Sequence, residues 1–178
     1  LTDTQFFGGN LDTIQQIRSA ISLPVLRKDF IIDEYQIWES RAAGADALLL
    51  IAEVLPEGQL VDCMILAQEL GMTSLVEVHD MENLLKVQQY IGFPHAGYCL
   101  LGINNRNLET MKTDINHTIR LIDVVDDPRC VVSESGITSS EDLDRLRAHG
   151  VHIVLVGESL MKQPCPGDAL ASLIRMNP

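Results

Sequence analysis

Positive charge is scarce in this chain. Thirteen lysines and arginines stand against 25 aspartates and glutamates, for a net charge of −12 and a pI near 4.6. That balance argues against nucleic acid or an anionic membrane as the main partner, since both need clustered cations. It leaves room for a small phosphorylated ligand, because a site can be locally positive. Cysteine is sparse as well. Cys63, Cys99, Cys130 and Cys165 lie far apart and form no C-x-x-C pair, which fits a reduced, cytoplasmic setting. No apolar run reaches the length of a membrane span, and no signal peptide is visible. No G-x-G-x-x-G follows the first apolar run, which weakens a dinucleotide-binding reading. A starting methionine is missing too: the chain opens on Leu1, which is expected of a fragment.

What is present is a repeated design. The chain has 178 residues, 46% hydrophobic and 21% charged, enough for one domain (1–178) that hides roughly 70% of its unfolded surface. The apolar run from Tyr98 to Ile103 breaks into Asn104, Asn105 and Arg106. Pro24 to Leu26 runs into Lys28, and Leu75 to Val78 carries Glu77. Cys130 to Ser133 leads to Glu134, Ser135 and Gly136, and Val151 to Val156 leads to Gly157, Glu158 and Ser159. Apolar strands that deliver polar groups from their carboxyl ends are how an α/β barrel builds an active site.

Between these runs lie helical patterns. Leu1–Asp3 reads as a strand tail and Phe6–Asn10 as a turn. Asn10 is placed to cap a helix carrying Leu11, Ile14, Ile17 and Ile21, Asp33 to cap a helix ending at Gly44, and Pro56 to start one ending before Gly71. Further helices are expected at Asp80–Tyr90, Asn116–Val125 and Asp168–Met176. Thr138, with Glu141 three residues on, has the pattern of a capping box. Trp38 is expected to pack within its helix. Strand and helix alternate six times, and the strands are continuous apolar runs, which implies a parallel sheet covered on both faces. An open doubly wound sheet and a closed barrel both fit, and the missing dinucleotide motif favours the barrel.

Several residues are candidates for chemistry, each with a plainer alternative. Lys28 can act as a general acid or bind an anion at the ligand-bearing rim; the alternative is a surface lysine. Glu77, alone among apolar neighbours, is costly unless paired or functional, and a salt bridge to a strand-end cation would suffice. Asn104 and Arg106 suit a hydroxyl-rich or anionic substrate, and Asn105 could as easily be a turn former. Ser135-Gly136 and Gly157-Glu158-Ser159 follow the last two strands, where barrels often bind phosphate on backbone N–H groups and a short extra helix. His149 and His152 straddle a helix end and a strand start, so a metal site there is not expected. His79 reads as a loop histidine and Glu53 as a solvated carboxylate.

Seven ordered segments carry a resemblance. They are Phe6–Gly9, Leu23–Asp33, Arg41–Ala47, Leu75–His79, Gly102–Arg106, Val132–Ile137 and Val156–Met161. Together they resemble the indole-3-glycerol-phosphate synthases of tryptophan biosynthesis, over almost the whole chain. The resemblance implies a TIM (βα)8-type barrel, here incomplete and with about six βα units. It implies a carboxy-lyase that closes a ring on 1-(2-carboxyphenylamino)-1-deoxyribulose 5-phosphate with loss of CO₂ and water, using no metal or organic cofactor. Lys28 then matches the general acid of ring closure and Glu77 the glutamate that assists dehydration. Asn104 matches the amide that holds substrate hydroxyls, and Glu134 and Ser135 line the pocket beside Arg106. Phe30 matches an aromatic wall, and Gly136, Gly157 and Ser159 match a phosphate cradle.

The family pattern also includes a first strand, bearing a glutamate, a lysine and a Ser-Pro-Ser loop, that has no counterpart here, nor does most of the second strand. Such barrels usually take about 250 residues. The expectation is therefore an N-terminally truncated chain with low or no activity of its own, or at most a phosphate-binding barrel fragment. Lys28, Glu77, Asn104 and Glu134 are expected to meet in one pocket. The open strand edges are expected to be covered in a homodimer or by a complementing N-terminal fragment.

Overall fold

A computed structural model describes residues 1–92 and 98–175. Along the chain lie α1 (Thr4–Phe7), α2 (Asp12–Ala20), β1 (Leu26–Arg27), α3 (Glu34–Ala43), β2 (Ala47–Ile51), α4 (Glu57–Glu69), β3 (Thr73–Val78) and α5 (Met81–Val87). They are followed by β4 (Cys99–Asn104), α6 (Asn116–Leu121), β5 (Val131–Glu134), α7 (Ser140–Ala148), β6 (Ile153–Leu155), α8 (Glu158–Met161) and α9 (Pro166–Leu173). The class is α/β, a (βα)8-barrel type of chain with six βα units among the described residues. It packs as two compact units, one of Leu1–Val78 with Glu82–Leu100, the other of His79–Met81 with Leu101–Pro178.

In the first unit β1, β2 and β3 lie in chain order and run parallel, with Leu26 beside Ala47 and Ile51 beside Glu77. Leu48, Leu49 and Leu50 are all buried. A strand apolar on both faces must be covered on both, which excludes an open antiparallel arrangement. The α3 helix forms where expected. Asp33 accepts from Tyr35 N–H, Gln36 reciprocates to complete a capping box, and Gly44 ends the helix at φ 94°.

The N-terminal segment differs from its expected turn. Leu1–Asp3 is in no strand, although Thr2 N–H donates to the Lys28 carbonyl at 3.1 Å. The next four residues form α1, because Asp3 accepts from Phe6 N–H and Gly8 ends the turn at φ 61°. Asn10 accepts from Asp12 N–H at 2.9 Å, ahead of α2. In that helix Ile14 is buried while Ile17 stays exposed, as does Ile21, which follows the helix in extended conformation, so helical spacing marked a face only part of which finds cover. Trp38 is a further correction. It is 54% exposed, because α3 turns Ile37, Ser40 and Ala43 inward and the adjacent position must point out.

In the second unit β4, β5 and β6 again follow chain order and run parallel, with Asn104 beside Glu134 and Val132 beside Ile153. The expected capping box at α7 is shifted by one residue: Ser139 caps the helix and Asp142 closes the box. Asp142 collects N–H groups from Thr138 and Ser139 and the Thr138 hydroxyl. Burial pushes its carboxyl up, and these bonds bring it below the ordinary range. Burial of Leu143 and Leu146 fixes that helical phase. Helix α9 starts earlier than expected, with Pro166 in its first turn; the expected end at Met176 lies outside the described residues. No helix among the described residues is long and apolar enough to cross a membrane.

Candidate active site

In the first unit the site is built at the end of β1. Successive strand residues point to opposite faces, so Arg27 and Lys28 part company. Arg27 turns toward α3 and is 4% exposed. Its guanidinium donates to the Gln36 carbonyl at 2.9 Å, to Glu39 at 2.9 Å and to the Ser40 hydroxyl at 3.1 Å. It also donates to Asp29 Oδ2 at 3.0 Å, an oxygen that accepts the Thr2 hydroxyl at 2.6 Å as well. Burial raises the Asp29 carboxyl, but the bonds from Thr2 and Arg27 hold it below the usual carboxylate range.

Lys28 leaves on the other face. Its Nζ lies 2.8 Å from Glu77 Oε2 in β3, with the glutamate side chain 4% and the lysine side chain 25% exposed. The two candidates from separate apolar runs are therefore partners, and the salt-bridge alternative for Glu77 is realised with Lys28 as its cation. A carboxylate this deeply buried is tolerable only with such a partner. Phe30 follows, half-exposed, its ring edge-on to Phe6 with centroids 5.9 Å apart.

In the second unit Asn104 and Glu134 stand side by side at the ends of β4 and β5. Glu134 is buried at 1% exposure. Asn104 Oδ1 accepts from Arg106 N–H at 3.0 Å, closing the turn that ends the strand. The Arg106 guanidinium donates to the Met111 carbonyl and pairs with Glu158. Hydrogen bonds from Lys162 and Arg106 hold the Glu158 carboxyl below its ordinary range. After β5 the backbone turns left-handed at Ser135 (φ 66°) and again at Gly136 (φ 76°). A Cβ at Gly136 would lie 2.8 Å from Thr113 Cβ, so only glycine fits there. Gly157 is exposed ahead of α8, and the Ser159 hydroxyl donates to the Ile137 carbonyl at 2.9 Å. That bond ties the segment after β6 to the one after β5.

Two residues matter more than the sequence reading allowed. Arg27 was hidden within an apolar run, although its alternation with Lys28 was a usable signal. Asn105 is no simple turn former: it is 3% exposed. Its Oδ1 accepts from Thr118 N–H at 3.0 Å and from the Thr118 hydroxyl at 2.8 Å. Its Nδ2 donates to Ser133 Oγ at 2.9 Å and to the Ser135 carbonyl at 3.1 Å. Of the histidines, His79 follows β3 directly, and its carbonyl accepts from the ring of His117 at 2.9 Å. His149 bonds the Arg145 carbonyl of its own helix. Among the described residues no three or more His, Cys, Asp or Glu side chains are grouped to hold a metal ion.

The sequence profile for indole-3-glycerol phosphate synthase matches residues 1–173. The indole-3-glycerol phosphate synthase of Variovorax paradoxus is 48% identical over 178 residues, a match covering 98% of this chain and 64% of that protein. The one from Rhodopirellula baltica is 49% identical over 164 residues, covering 92% of this chain and 61% of its own length. The chain thus spans less than two thirds of these relatives. In fold it is similar to 3-hexulose-6-phosphate synthase from Salmonella typhimurium, with a TM-score of 0.71 at 19% identity over 95% of this chain and 82% of the other. KGPDC from Streptococcus mutans gives a TM-score of 0.69 at 14% identity over 93% and 77%. At such low identity those two speak for the fold alone. The profile and the near-half identity along almost all of this sequence speak for descent, and by them the chain belongs to the indole-3-glycerol phosphate synthase family.

Proposed function

We propose that this chain carries the ring-closing chemistry of its family, on 1-(2-carboxyphenylamino)-1-deoxyribulose 5-phosphate. The observation that supports this reading most is the Lys28–Glu77 pair at 2.8 Å. Ring closure joins the carboxylate-bearing aromatic carbon to the ketone carbon, and the ketone oxygen must gain a proton as the bond forms. A lysine ammonium held by a buried carboxylate is a donor of that kind. Loss of CO₂ restores the aromatic ring. The new hydroxyl then leaves as water after taking up a second proton, and the adjacent carbon bonded to nitrogen gives up its own proton as the ring double bond forms; Glu77 assists in this proton transfer.

Asn104 holds the sugar hydroxyls and Arg106 an anionic group of the substrate. Glu134 and Ser135 line the pocket, Phe30 walls the anthranilate ring, and the N–H groups of Gly136, Gly157 and Ser159 receive the phosphate. No metal or organic cofactor enters this scheme.

The test is to incubate the chain with this substrate and follow indole fluorescence. Turnover that falls by about 10²- to 10⁴-fold in Lys28→Met and in Glu77→Gln supports the assignment. Turnover unchanged in both variants overturns it. A second reading rests on the 61–64% span of the relatives: the chain as given binds phosphorylated ligands without turning them over. Saturable binding of the substrate with no fluorescence gain would favour that reading.

A further inference from the structure

We infer that Asn105 is a positioning residue for the corner that follows β5, the corner in which Ser135 and Gly136 present their backbone. The inference rests on the proposed phosphate role of Gly136 and explains how that role is built. Asn105 contacts three successive residues of the corner. Its backbone N–H donates to the Glu134 carbonyl at 2.8 Å, and its Nδ2 donates to Ser133 Oγ and the Ser135 carbonyl. Its Oδ1 takes both donors of Thr118, whose hydroxyl also lies 2.8 Å from Ser133 Oγ. An amide has two donor protons and two acceptor positions, and all four are used here. No other neutral side chain of that length offers the same set, so the hub has one orientation.

The corner needs such a hold. Ser135 carries a side chain yet sits at φ 66°, a conformation unfavourable for anything but glycine, with asparagine and aspartate the usual exceptions. The hydrogen bond that the Asn105 Nδ2 donates to the Ser135 carbonyl, together with the packing of Gly136 against Thr113, keeps the chain there. Asn105 also links this corner to its own loop, because its carbonyl accepts from Asp114 N–H at 3.1 Å and Arg106 bridges to Thr113. Released, Ser135 would relax to negative φ and turn the Gly136 N–H away. Asn105 therefore acts on a bound anion through Ser135, without touching it.

The experiment titrates the isotope-labelled full chain with inorganic phosphate and reads the amide shifts of Gly136 and Gly157. Wild type is expected to show a saturable shift at Gly136. Asn105→Ala should weaken phosphate binding about tenfold, the scale of one well-placed hydrogen bond. Leu143→Ala, a core truncation in α7, should lower the melting temperature while leaving phosphate binding unchanged. Asn105→Ala/Ser135→Gly should recover binding to within about threefold of wild type, because glycine removes the left-handed cost that the amide offsets.

Equal affinity of Asn105→Ala and wild type overturns the inference, as does an equal loss in Leu143→Ala. Where Asn105→Ala fails to fold, the double variant decides. If it folds and binds, the inference stands; if it folds and stays weak, or does not fold, Asn105 serves only the buried hub. A wild-type chain whose Gly136 ignores phosphate sinks the cradle itself and the inference with it, an outcome visible before any variant is made.

Discussion

In the first unit the end of β1 is held by charge, whereas in the second unit the end of β5 is held by neutral amides and hydroxyls. Buried Arg27 gathers Asp29 and the part-exposed Glu39 into an ion network on one face of β1, and Lys28 pairs with Glu77 on the other. Asn105, Thr118 and Ser133 form an uncharged hub beneath Glu134 and Ser135. The difference teaches what each device can do. Buried ions set a local field and favour one protonation state, but removing one partner strands the other in a medium that solvates it poorly. A saturated amide sets geometry and is indifferent to pH and salt. A lysine proposed as an acid calls for the first device, and a left-handed corner calls for the second.

The sharpest way to break this comparison is Arg27→Leu. It strips the cation from Asp29, whose side chain is 11% exposed, and from Glu39, which is a third exposed and keeps water, and the chain should lose about 3 kcal/mol by urea unfolding. A loss below about 1 kcal/mol would show that the network is not a working clamp. The same variant carries a pH signature. The folded pKa of Asp29 lies below its ordinary 3.8, so its contribution is present above 3.8 and lost as pH falls through the lower folded value. Acid unfolding curves of wild type and Arg27→Leu should therefore converge below that window.

Asn105→Ala comes next, at about 2–3 kcal/mol, because the donors of Thr118 and the Ser135 carbonyl lose their partner. Unlike the Arg27 effect, this loss should be the same at low and high salt; a salt-dependent loss would blur the distinction between the units. Glu77→Gln should cost less, about 1–2 kcal/mol, since the Lys28 side chain is a quarter exposed and can recover water.

The smallest expected effect is at His117, in the second unit. Burial lowers its pKa below 6.5, against the opposing bond to the His79 carbonyl. A lowered folded pKa means stability that is full above 6.5 and declines as pH drops below it. Thermal melts of wild type should fall over that window and those of His117→Gln should not.

Much of the fold was legible because it rests on local chemistry. Asp33 as a cap and Gly44 as a helix stop are signals that work within a few residues of themselves. The errors were local too, where two signals stood side by side. Thr138 and Ser139 are equally good caps, and the choice fell to Ser139 once Leu143 and Leu146 had to face inward. Trp38 shows the reverse failure: hydrophobicity alone did not say which face of α3 would find cover.

What the sequence determined by itself was the alternation of strand and helix, the parallel sheet and the set of polar residues that end each apolar run. Those follow from periodicity and from side chains too costly to bury without purpose. Only the tertiary structure decided pairings across long stretches of chain. Lys28 and Glu77 lie 49 residues apart, and Asn105 and Ser135 lie 30 apart. Nothing in the local sequence of either partner encodes such a distance. Whether Glu77 was a stray carboxylate or the counter-ion of Lys28, and whether Asn105 was a turn former or an anchor, depended on which strand ends the register of parallel pairing set within reach.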